Sequence, residues 1–363
     1  MHLFKVDFTG DHLDQNGNVA TCDLGIDALE RTGIIKTGFL LDQKPNPADA
    51  NYWERFYSLE LTPDHVSRAN GIVVCRPWVR ESAFASGAEN LVIIERAGAG
   101  YDKIDVEACT RNNVVVCNVP DSLTHSTASA ALTLLLSLAK RLPQQERLVR
   151  SGRWDQQYEV VGNDLIEKTL GIVGLGKTGR ELARLIAPFY MKVLAYSPRA
   201  DADAAEEMGI TLVSSLDELL SEADFISLHC RLEEHTRGLL GARELSLLKR
   251  SAYLINVARG ELVDEDALIA ALQERRIAGA GLDVFDHEPL PVTSPLLHLD
   301  NVVLTPHWLP STHRAAGLMR QAVIDNLTRV AQGQQPSNVL NPQVLGSYGF
   351  IQKLSRFREN RMQ

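Results

Sequence analysis

Thr169-Leu170-Gly171-Ile172-Val173-Gly174-Leu175-Gly176-Lys177-Thr178-Gly179 is the stretch that decides the fold of this chain. An apolar run ends there at a glycine-rich turn, and the turn leads into Leu182, Leu185 and Ile186, which recur at helical spacing between charged residues. The stretch therefore predicts a strand, a tight turn and a helix. In that setting the pattern Gly-x-Gly-x-x-Gly is a dinucleotide-binding fingerprint.

Each glycine of the turn has its own task in such a site. Gly174 permits the sharp turn, Gly176 has no side chain where a pyrophosphate must approach the backbone, and Gly179 lets the helix lie close to its strand. The start of the helix offers unpaired N–H groups and the positive end of its dipole to the phosphates. We therefore expect the cofactor pyrophosphate to contact Gly174, Leu175, Gly176, Lys177, Thr178 and Gly179.

The residues that follow the next strand determine whether NAD(H) or NADP(H) is preferred. That strand is predicted over residues 191–196, and an acid at its end would bind the ribose of NAD(H) and repel the 2′-phosphate of NADP(H). The chain instead has Ser197-Pro198-Arg199, and an arginine offers a bidentate, charge-assisted fork to a phosphate. This favours NADP(H). The alternative is that Arg199 is a solvated loop residue and that NAD(H) is used.

Length and composition are those of a two-domain globular enzyme. A chain of 363 residues is longer than a single hydrophobic core usually accommodates, so two domains are expected. Hydrophobic residues at 45% and charged residues at 23% are ordinary for a globular protein. The formal net charge of −9 opposes a general role on nucleic acid or at a membrane surface, since both favour a basic face. The expected partner is therefore a small molecule.

The cysteines and the N-terminal residues indicate a reducing, cytoplasmic location. Lys5 and Asp7 put charge where a signal peptide has an apolar core. The most apolar long segment, residues 128–139, is shorter than the roughly 20 residues of a bilayer span. The five cysteines form no complete disulfide framework and lack metal-ligand spacing: Cys22, Cys75, Cys109, Cys117 and Cys230. The basic residues near the end are interpreted as a solvated tail: Lys353, Arg356, Arg358 and Arg361.

Strands and helices alternate over most of the chain. Buried strands are predicted near residues 72–75, 91–94 and 114–117, and the alternation resumes at Lys168 and continues to Thr305. Strands separated by helices imply parallel sheets with right-handed crossovers, so the fold class is α/β. Residues 126–142 are predicted as one long helix, whereas the first 70 residues give no clear pattern.

Two features of the first part are candidates for binding an anion. The loop Gly98-Ala99-Gly100 follows a predicted strand and can direct backbone N–H groups at a carboxylate. Arg76, at the end of the preceding strand, is a weaker candidate for the same anion. A tight strand-to-helix turn is the alternative interpretation of the loop.

Three chemically capable residues follow three successive strands. Arg259, Glu288 and His307 each come just after an apolar run, and the carboxyl ends of parallel strands share one edge of the sheet. An arginine can hold a carboxylate and polarise a carbonyl. A histidine is a natural proton donor near neutral pH, and a carboxylate beside it favours the imidazolium, typically by about 1–3 pKa units. The set is suited to reducing a carbonyl by hydride.

Four ordered motifs resemble the D-isomer-specific 2-hydroxyacid dehydrogenases. They are the segments 171–179, 254–268, 279–290 and 304–307, and the resemblance runs from about residue 72 to about residue 330. It implies catalytic roles for Arg259, Glu288 and His307, a carboxylate-binding role for Gly98-Ala99-Gly100, and a contact of Asp283 with the nicotinamide carboxamide. With it we also expect cofactor contacts from Thr127, His229, Cys230, Thr236, Val257 and Ala258.

The resemblance also implies an architecture. It predicts two Rossmann-like, doubly wound domains: a discontinuous substrate domain from residues 1–122 and 309–363, and a dinucleotide-binding domain from residues 123–308. Relatives of this kind are homodimers joined through the cofactor domains. Where many relatives have smaller residues after the histidine, this chain has Trp308-Leu309-Pro310, which implies a different substrate pocket.

The implied reaction interconverts a small 2-keto acid and a D-2-hydroxy acid. Glyoxylate or hydroxypyruvate is the first expectation for the substrate, and 3-phosphoglycerate is the second. Glu288 disfavours formate oxidation, because the resembling formate dehydrogenases have glutamine there. The alternatives are phosphite oxidation with the same three residues, a nucleotide-sensing corepressor, and a paralogue that has lost useful activity.

Overall fold

The computed structural model describes residues 3–19, 24–44, 46 and 48–359. The chain divides into two compact units: unit 1 comprises residues 1–123 and 312–363, and unit 2 comprises residues 124–311. Cys22, Arg361 and the first two residues lie outside the described residues. Within the described ranges, none of the helices has the length and apolar character needed to cross a membrane.

Twelve strands are present in the described part of the chain. Unit 1 contains β1 (Phe4–Phe8), β2 (Ile35–Phe39), β3 (Gly71–Val74), β4 (Ile93–Arg96) and β5 (Val115–Cys117). Unit 2 contains β6 (Thr169–Val173), β7 (Lys192–Tyr196), β8 (Ile210–Leu212), β9 (Phe225–Leu228), β10 (Tyr253–Asn256), β11 (Gly279–Leu282) and β12 (Val302–Leu304).

Helices separate the strands in both units. They are, in chain order, α1 (Ile26–Glu30), α2 (Tyr52–Tyr57), α3 (Pro63–Arg68), α4 (Val106–Arg111), α5 (Thr124–Ala139), α6 (Leu142–Arg150), α7 (Lys177–Ile186), α8 (Ala202–Glu207), α9 (Leu216–Glu222), α10 (Ala242–Leu247), α11 (Glu265–Gln273), α12 (His313–Ala331) and α13 (Tyr348–Glu359). Side-chain caps define several of their starts. The hydroxyl of Ser215 accepts from Glu218 N before α9, and the hydroxyl of Thr312 accepts from Ala315 N before α12.

Each unit is built on a parallel sheet with a reversal of strand order. The order is β2-β1-β3-β4-β5 in unit 1 and β12-β11-β10-β9-β6-β7-β8 in unit 2. The reversal lies between β1 and β3 in unit 1 and between β6 and β9 in unit 2, and ligands bind beyond the carboxyl ends of strands at such points. The predicted α/β class, with two doubly wound domains of which one is discontinuous, is confirmed.

Both faces of each sheet are covered by apolar side chains. In unit 2, Leu170 and Ile172 of β6 pack with Leu182 of α7 and Leu135 of α5, all essentially inaccessible to solvent. In unit 1, Phe4 and Phe8 of β1 belong to a core that includes Leu327 of α12 and Phe350 of α13. The near-continuous apolar runs of the strands arise because parallel sheets are buried on both sides.

The long helix predicted over residues 126–142 is present as α5, but it ends at Ala139. Arg141 has a left-handed φ of 50°, and a separate helix that was not predicted, α6, begins at Leu142. The prediction about the C-terminal segment was wrong. The basic C-terminal segment is not a solvated tail up to the end of α13. Lys353 is buried and its Nζ donates to the carbonyl oxygens of Leu91, Asn112 and Asn113 at 3.0, 2.7 and 3.1 Å.

Candidate functional site

The glycine turn of unit 2 adopts the geometry of a dinucleotide-binding turn. Gly174 has a φ of 96°, and a Cβ there would lie 2.5 Å from Cys230 N. At Gly179 a Cβ would lie 2.4 Å from the carbonyl oxygen of Gly174, so α7 lies closer to the turn than any side chain permits. At Gly176, by contrast, a Cβ would meet nothing within 4 Å, which leaves the backbone open to a ligand.

The end of β9 lies directly beside this turn. His229 and Cys230 follow β9, and their backbone is the part of the chain that Gly174 approaches. Burial lowers the pKa of His229 to about 4, and its Nε2 lies 2.8 Å from the hydroxyl of Ser227. The imidazole is therefore neutral at physiological pH. Two of the predicted cofactor residues thus lie at the reversal between β6 and β9.

Asp283 has a free acceptor at the end of β11. Its Oδ1 accepts from the Thr305 hydroxyl at 2.6 Å and from the N–H groups of Trp308 and Leu309 at 3.1 and 3.2 Å. Its Oδ2 is buried and has no hydrogen-bond partner among the described residues. Such an atom needs a donor, and the amide of a nicotinamide carboxamide is one. The residues present therefore fit the expected cofactor at the glycine turn and at Asp283.

The same carboxylate also fixes the loop that carries His307. The three groups that donate to Asp283 Oδ1 lie two residues before His307 and one and two residues after it. His307 itself has a φ of 52°, a left-handed conformation that the surrounding hydrogen bonds must hold. This positioning role of Asp283 was not predicted, although its signal was the buried acid at a strand end.

His307 and Glu288 form a close pair. Nδ1 of His307 lies 2.8 and 2.9 Å from the two carboxylate oxygens of Glu288. A carboxylate only accepts, so Nδ1 carries a hydrogen and Nε2 is the nitrogen available for chemistry. Burial acts to raise the pKa of Glu288, but the bond and charge of His307, the N–H of Phe285 and the charge of Arg259 outweigh it and hold that pKa below its ordinary value.

Arg259 lies on a turn that the backbone shapes closely. Asn256, at the end of β10, donates to the carbonyl of Arg259 at 2.8 Å and accepts from Ala258 N at 3.0 Å. The next residue, Gly260, approaches the segment that leads to Glu288, because a Cβ there would lie 1.9 Å from the carbonyl carbon of Phe285. Sequence reasoning missed Gly260, since the contact joins segments 25 residues apart.

The positions of the other predicted cofactor residues give weaker support for a contact with the cofactor. Leu175 and Val257 are buried, so only their backbone could face a ligand. The hydroxyl of Thr236 is used in a local turn, where it accepts from Glu233 N at 2.7 Å and donates to Arg231 O at 2.8 Å. The rest are half-buried or exposed: Thr127, Lys177, Thr178, Ser197, Arg199 and Ala258.

In unit 1, every carbonyl of the loop after β4 is bound. Arg96 donates from Nη1 to Ala97 O and from Nε to Gly100 O at 2.5 and 2.8 Å. Val119 N donates to Gly98 O at 3.1 Å, and the Asn118 amide donates to Ala99 O at 2.7 Å. Gly98 N donates to Arg96 O at 2.8 Å, so the N–H groups that the loop can present to an anion are those of Ala99 and Gly100. Arg96 and Asn118 were not predicted as site residues.

Arg76 lies at the reversal between β1 and β3 of unit 1. Its backbone N–H donates to Asp11 Oδ2 at 2.8 Å, and its Nη1 lies 3.7 Å from the same oxygen. Its guanidinium carbon lies 5.4 Å from the ring centroid of Phe56 and 5.6 Å from that of Tyr57. The guanidinium is thus held by a buried acid and two aromatic rings.

Comparison with known proteins identifies what this arrangement resembles. Residues 132–308 match the family model described as D-isomer specific 2-hydroxyacid dehydrogenase, NAD binding domain. A glyoxylate reductase of Korarchaeum cryptofilum is 41% identical over 261 residues, which are 71% of this chain and 78% of that protein. A D-3-phosphoglycerate dehydrogenase of Methanocaldococcus jannaschii is also 41% identical, over 70% of this chain, but the chain covers only 48% of that longer protein.

A solved structure extends the likeness to both units. The NADPH-dependent glyoxylate/hydroxypyruvate reductase of Sinorhizobium meliloti, in complex with NADP and malonate, is 29% identical and superposes with a TM-score of 0.75. The match covers 93% of this chain and 96% of that one. The resemblance inferred from the four motifs is confirmed. This chain therefore belongs to the D-isomer-specific 2-hydroxyacid dehydrogenase family and is an NAD(P)-dependent oxidoreductase.

Proposed function

We propose that this protein reduces a small 2-keto acid to the D-2-hydroxy acid, with Arg259, Glu288 and His307 as its catalytic residues. The observation that carries the proposal is the contact of His307 Nδ1 with both oxygens of Glu288, at 2.8 and 2.9 Å. The pair follows β11 and β12 of the sheet whose first strand leads into the glycine turn. A proton donor and a hydride carrier would thus belong to one unit.

The roles follow from the chemistry of each group. A reduced nicotinamide held at the glycine turn and at Asp283 would supply a hydride to the carbonyl carbon. His307 gives its proton from Nε2 to the carbonyl oxygen, and Glu288 holds the ring through Nδ1 so that this nitrogen is available. Arg259 binds the carboxylate and polarises the carbonyl by a charge-assisted hydrogen bond. In the reverse direction His307 accepts the hydroxyl proton.

We assign the substrate role to unit 1 and the dinucleotide role to unit 2. Support for the first is the loop at Gly98, Ala99 and Gly100, whose carbonyls are all bound internally and whose N–H groups at Ala99 and Gly100 suit a carboxylate. Support for the second is the open backbone at Gly176 and the unpaired Oδ2 of Asp283. Arg76, at the reversal between β1 and β3, would add a cation to the anion site of unit 1.

Glyoxylate or hydroxypyruvate is the proposed substrate. A relative named glyoxylate reductase is matched over 78% of its length, whereas the phosphoglycerate dehydrogenase is matched over about half. The preferred cofactor is proposed to be NADPH, because Arg199 is exposed after β7, where an acid would select NADH. The relative from Sinorhizobium meliloti has NADP bound.

A homodimer is proposed through the segment that follows α5. Six large apolar side chains of this segment are more than half exposed: Leu142, Val149, Trp154, Tyr158, Val161 and Ile166. So many exposed apolar side chains in one short segment indicate an interaction surface. Light scattering after size exclusion should give twice the chain mass of 40.1 kDa. Replacing Trp154 and Tyr158 by serine should shift the protein towards the monomer.

Steady-state kinetics test the function directly. Consumption of NADH and of NADPH is measured against glyoxylate, hydroxypyruvate, pyruvate and a bulkier 2-keto acid. We expect turnover with glyoxylate or hydroxypyruvate and a preference for NADPH that Arg199→Ala reduces by about tenfold. Arg259→Ala with unchanged turnover on every keto acid would overturn the mechanism. Absence of turnover with every cofactor–substrate pair, together with retained cofactor binding, would instead favour phosphite oxidation or a corepressor.

A further inference from the structure

The segments that carry Arg259 and Glu288 remain side by side beyond the ends of their strands. The strands β10 and β11 are paired as far as Asn256, whose carbonyl oxygen also accepts from Asp283 N at 3.0 Å. Further along, Gly260 lies against the backbone that leads to Glu288. The relative position of these two catalytic residues is therefore set by contacts between the two segments as well as by the pairing of the strands.

A side chain, that of Glu265, also joins the two segments. Glu265 is the first residue of α11 and follows Arg259 by six positions, and its Oε2 accepts from Asp286 N at 3.1 Å. The preceding backbone N–H, that of Phe285, donates to Glu288 Oε1 at 3.3 Å. Two successive N–H groups before Glu288 are thus bound by carboxylates. One of these belongs to Glu288 itself, and the other belongs to the segment of Arg259.

The start of α11 does not by itself explain this orientation of Glu265. The helix already has a cap, because Asp264 Oδ1 accepts from Ala267 N at 3.0 Å. The Glu265 side chain is half-buried, and burial together with the charge of Asp286 raises the pKa of its carboxyl group, although the N–H of Asp286 acts to lower it. A carboxylate that gives up part of its hydration needs a hydrogen-bond donor in exchange, and Asp286 N is that donor.

We propose that Glu265 is a positioning residue for the reaction, which holds the segment of Glu288 against the segment of Arg259. Its hydrogen bond fixes the backbone at Asp286, two residues before Glu288. The Glu288 carboxylate is thereby kept 2.8 and 2.9 Å from His307 Nδ1, in the orientation that leaves Nε2 for the proton transfer. The inference rests on the proposed function, because Glu265 acts through the residues that the proposal names.

Two substitutions of Glu265 separate its hydrogen bond from its charge. Glu265→Gln keeps an oxygen that accepts from Asp286 N, whereas Glu265→Met removes the acceptor at similar length and remains a good helix former. Both lose the negative charge in the first turn of α11, so the effect on the helix dipole is common to them. With NADPH and glyoxylate or hydroxypyruvate, kcat should fall by about tenfold in Glu265→Met and stay within about twofold in Glu265→Gln. The KM for NADPH should be unchanged in both variants.

Hydrogen exchange, followed by mass spectrometry of peptides that cover residues 283–288, reports the contact independently of the reaction. Exchange there should be faster in Glu265→Met than in the wild type and in Glu265→Gln. Asp266→Asn, at the exposed next position of α11, is the matched control and should behave like the wild type in both measurements.

The outcomes distinguish this proposal from the proposed function. Faster exchange in Glu265→Met with an unchanged kcat would overturn the positioning role and leave the keto-acid reaction intact. Equal losses of kcat in Glu265→Gln and Glu265→Met would also overturn it, because the charge of Glu265 and not its hydrogen bond would then matter. Absence of keto-acid turnover in the wild type would refute the proposed function and this role with it.

Discussion

Replacement of Gly260 by alanine should disable catalysis without removing a functional group. Gly260 directly follows Arg259, and the Cβ of an alanine there would lie 1.9 Å from Phe285 C, 2.1 Å from Phe285 O and 2.4 Å from Asp286 N. These are backbone atoms of the segment that leads to Glu288, so no side-chain rotation relieves the overlap. One segment must move away from the other.

The size of that movement can be worked out. Ordinary contacts of a Cβ begin at 3.4 Å, so the carbonyl carbon of Phe285 must retreat by about 3.4 − 1.9 = 1.5 Å. A displacement of about 1 Å in a catalytic group can cost about 10²-fold in rate. We therefore expect kcat/KM for keto-acid reduction to fall by about 10²-fold or more in Gly260→Ala, while binding of the cofactor at the glycine turn is retained.

The assay compares NADPH consumption on glyoxylate with cofactor binding followed by fluorescence, at a temperature where the far-UV circular dichroism is native. Gly317→Ala is the matched control, because its Cβ would meet nothing within 4 Å in α12. That variant should keep full activity and gain about 0.5–1 kcal/mol of stability, since an alanine replaces a helical glycine. A wild-type rate for Gly260→Ala would refute the reasoning.

Three further substitutions, the last with a matched control, test other predictions. Glu288→Gln can turn an N–H towards His307 Nδ1, so the ring loses its fixed tautomer and turnover should fall by about 10²-fold in steady-state assays. Burial raises the pKa of Glu95 to about 8, whereas the ordinary pKa of a glutamate is 4.5. Between pH 4.5 and pH 8 the Glu95 carboxyl group is therefore protonated in the folded chain and ionised in the unfolded chain. The free energy of unfolding should therefore fall by up to about 1.4 kcal/mol per pH unit between those values, and urea unfolding of Glu95→Gln should lack this slope. Lys353→Met leaves three carbonyls without their donor and should cost about 2–4 kcal/mol in the same assay, whereas the exposed Arg356→Met should change stability by less than about 0.5 kcal/mol.

The sequence predicted those parts of the site whose chemistry is local. The glycine turn was predicted because the local backbone conformation requires each of its glycines. His307 was predicted because it is a titratable residue that comes just after a short apolar strand. Strand ends share an edge in any parallel sheet, so the pairing of His307 with Glu288 could be expected before any distance was measured.

The parts that were not predicted depend on contacts between distant segments. Lys353 looked like a solvated residue because nothing in its neighbourhood reveals that it meets carbonyls near residues 91 and 113. Gly260 lies against the backbone of a distant segment, and Arg96 binds carbonyl groups of its own loop. Contacts with backbone atoms leave no recognisable pattern of side chains in the sequence. The helix α6 was not predicted, because residues 142–150 are mostly polar and none of them is buried.

The division of unit 1 between the two ends of the chain has a consequence for biosynthesis. Phe4 of β1 meets Phe357 of α13 with ring centroids 4.8 Å apart, so the core of unit 1 needs residues from both ends. Unit 2 is contiguous and has its full sequence once residue 311 has been translated. The usual order, in which the N-terminal domain folds first on the ribosome, is therefore reversed here. The nascent first 123 residues must wait, with apolar strands uncovered, for α12 and α13 to emerge.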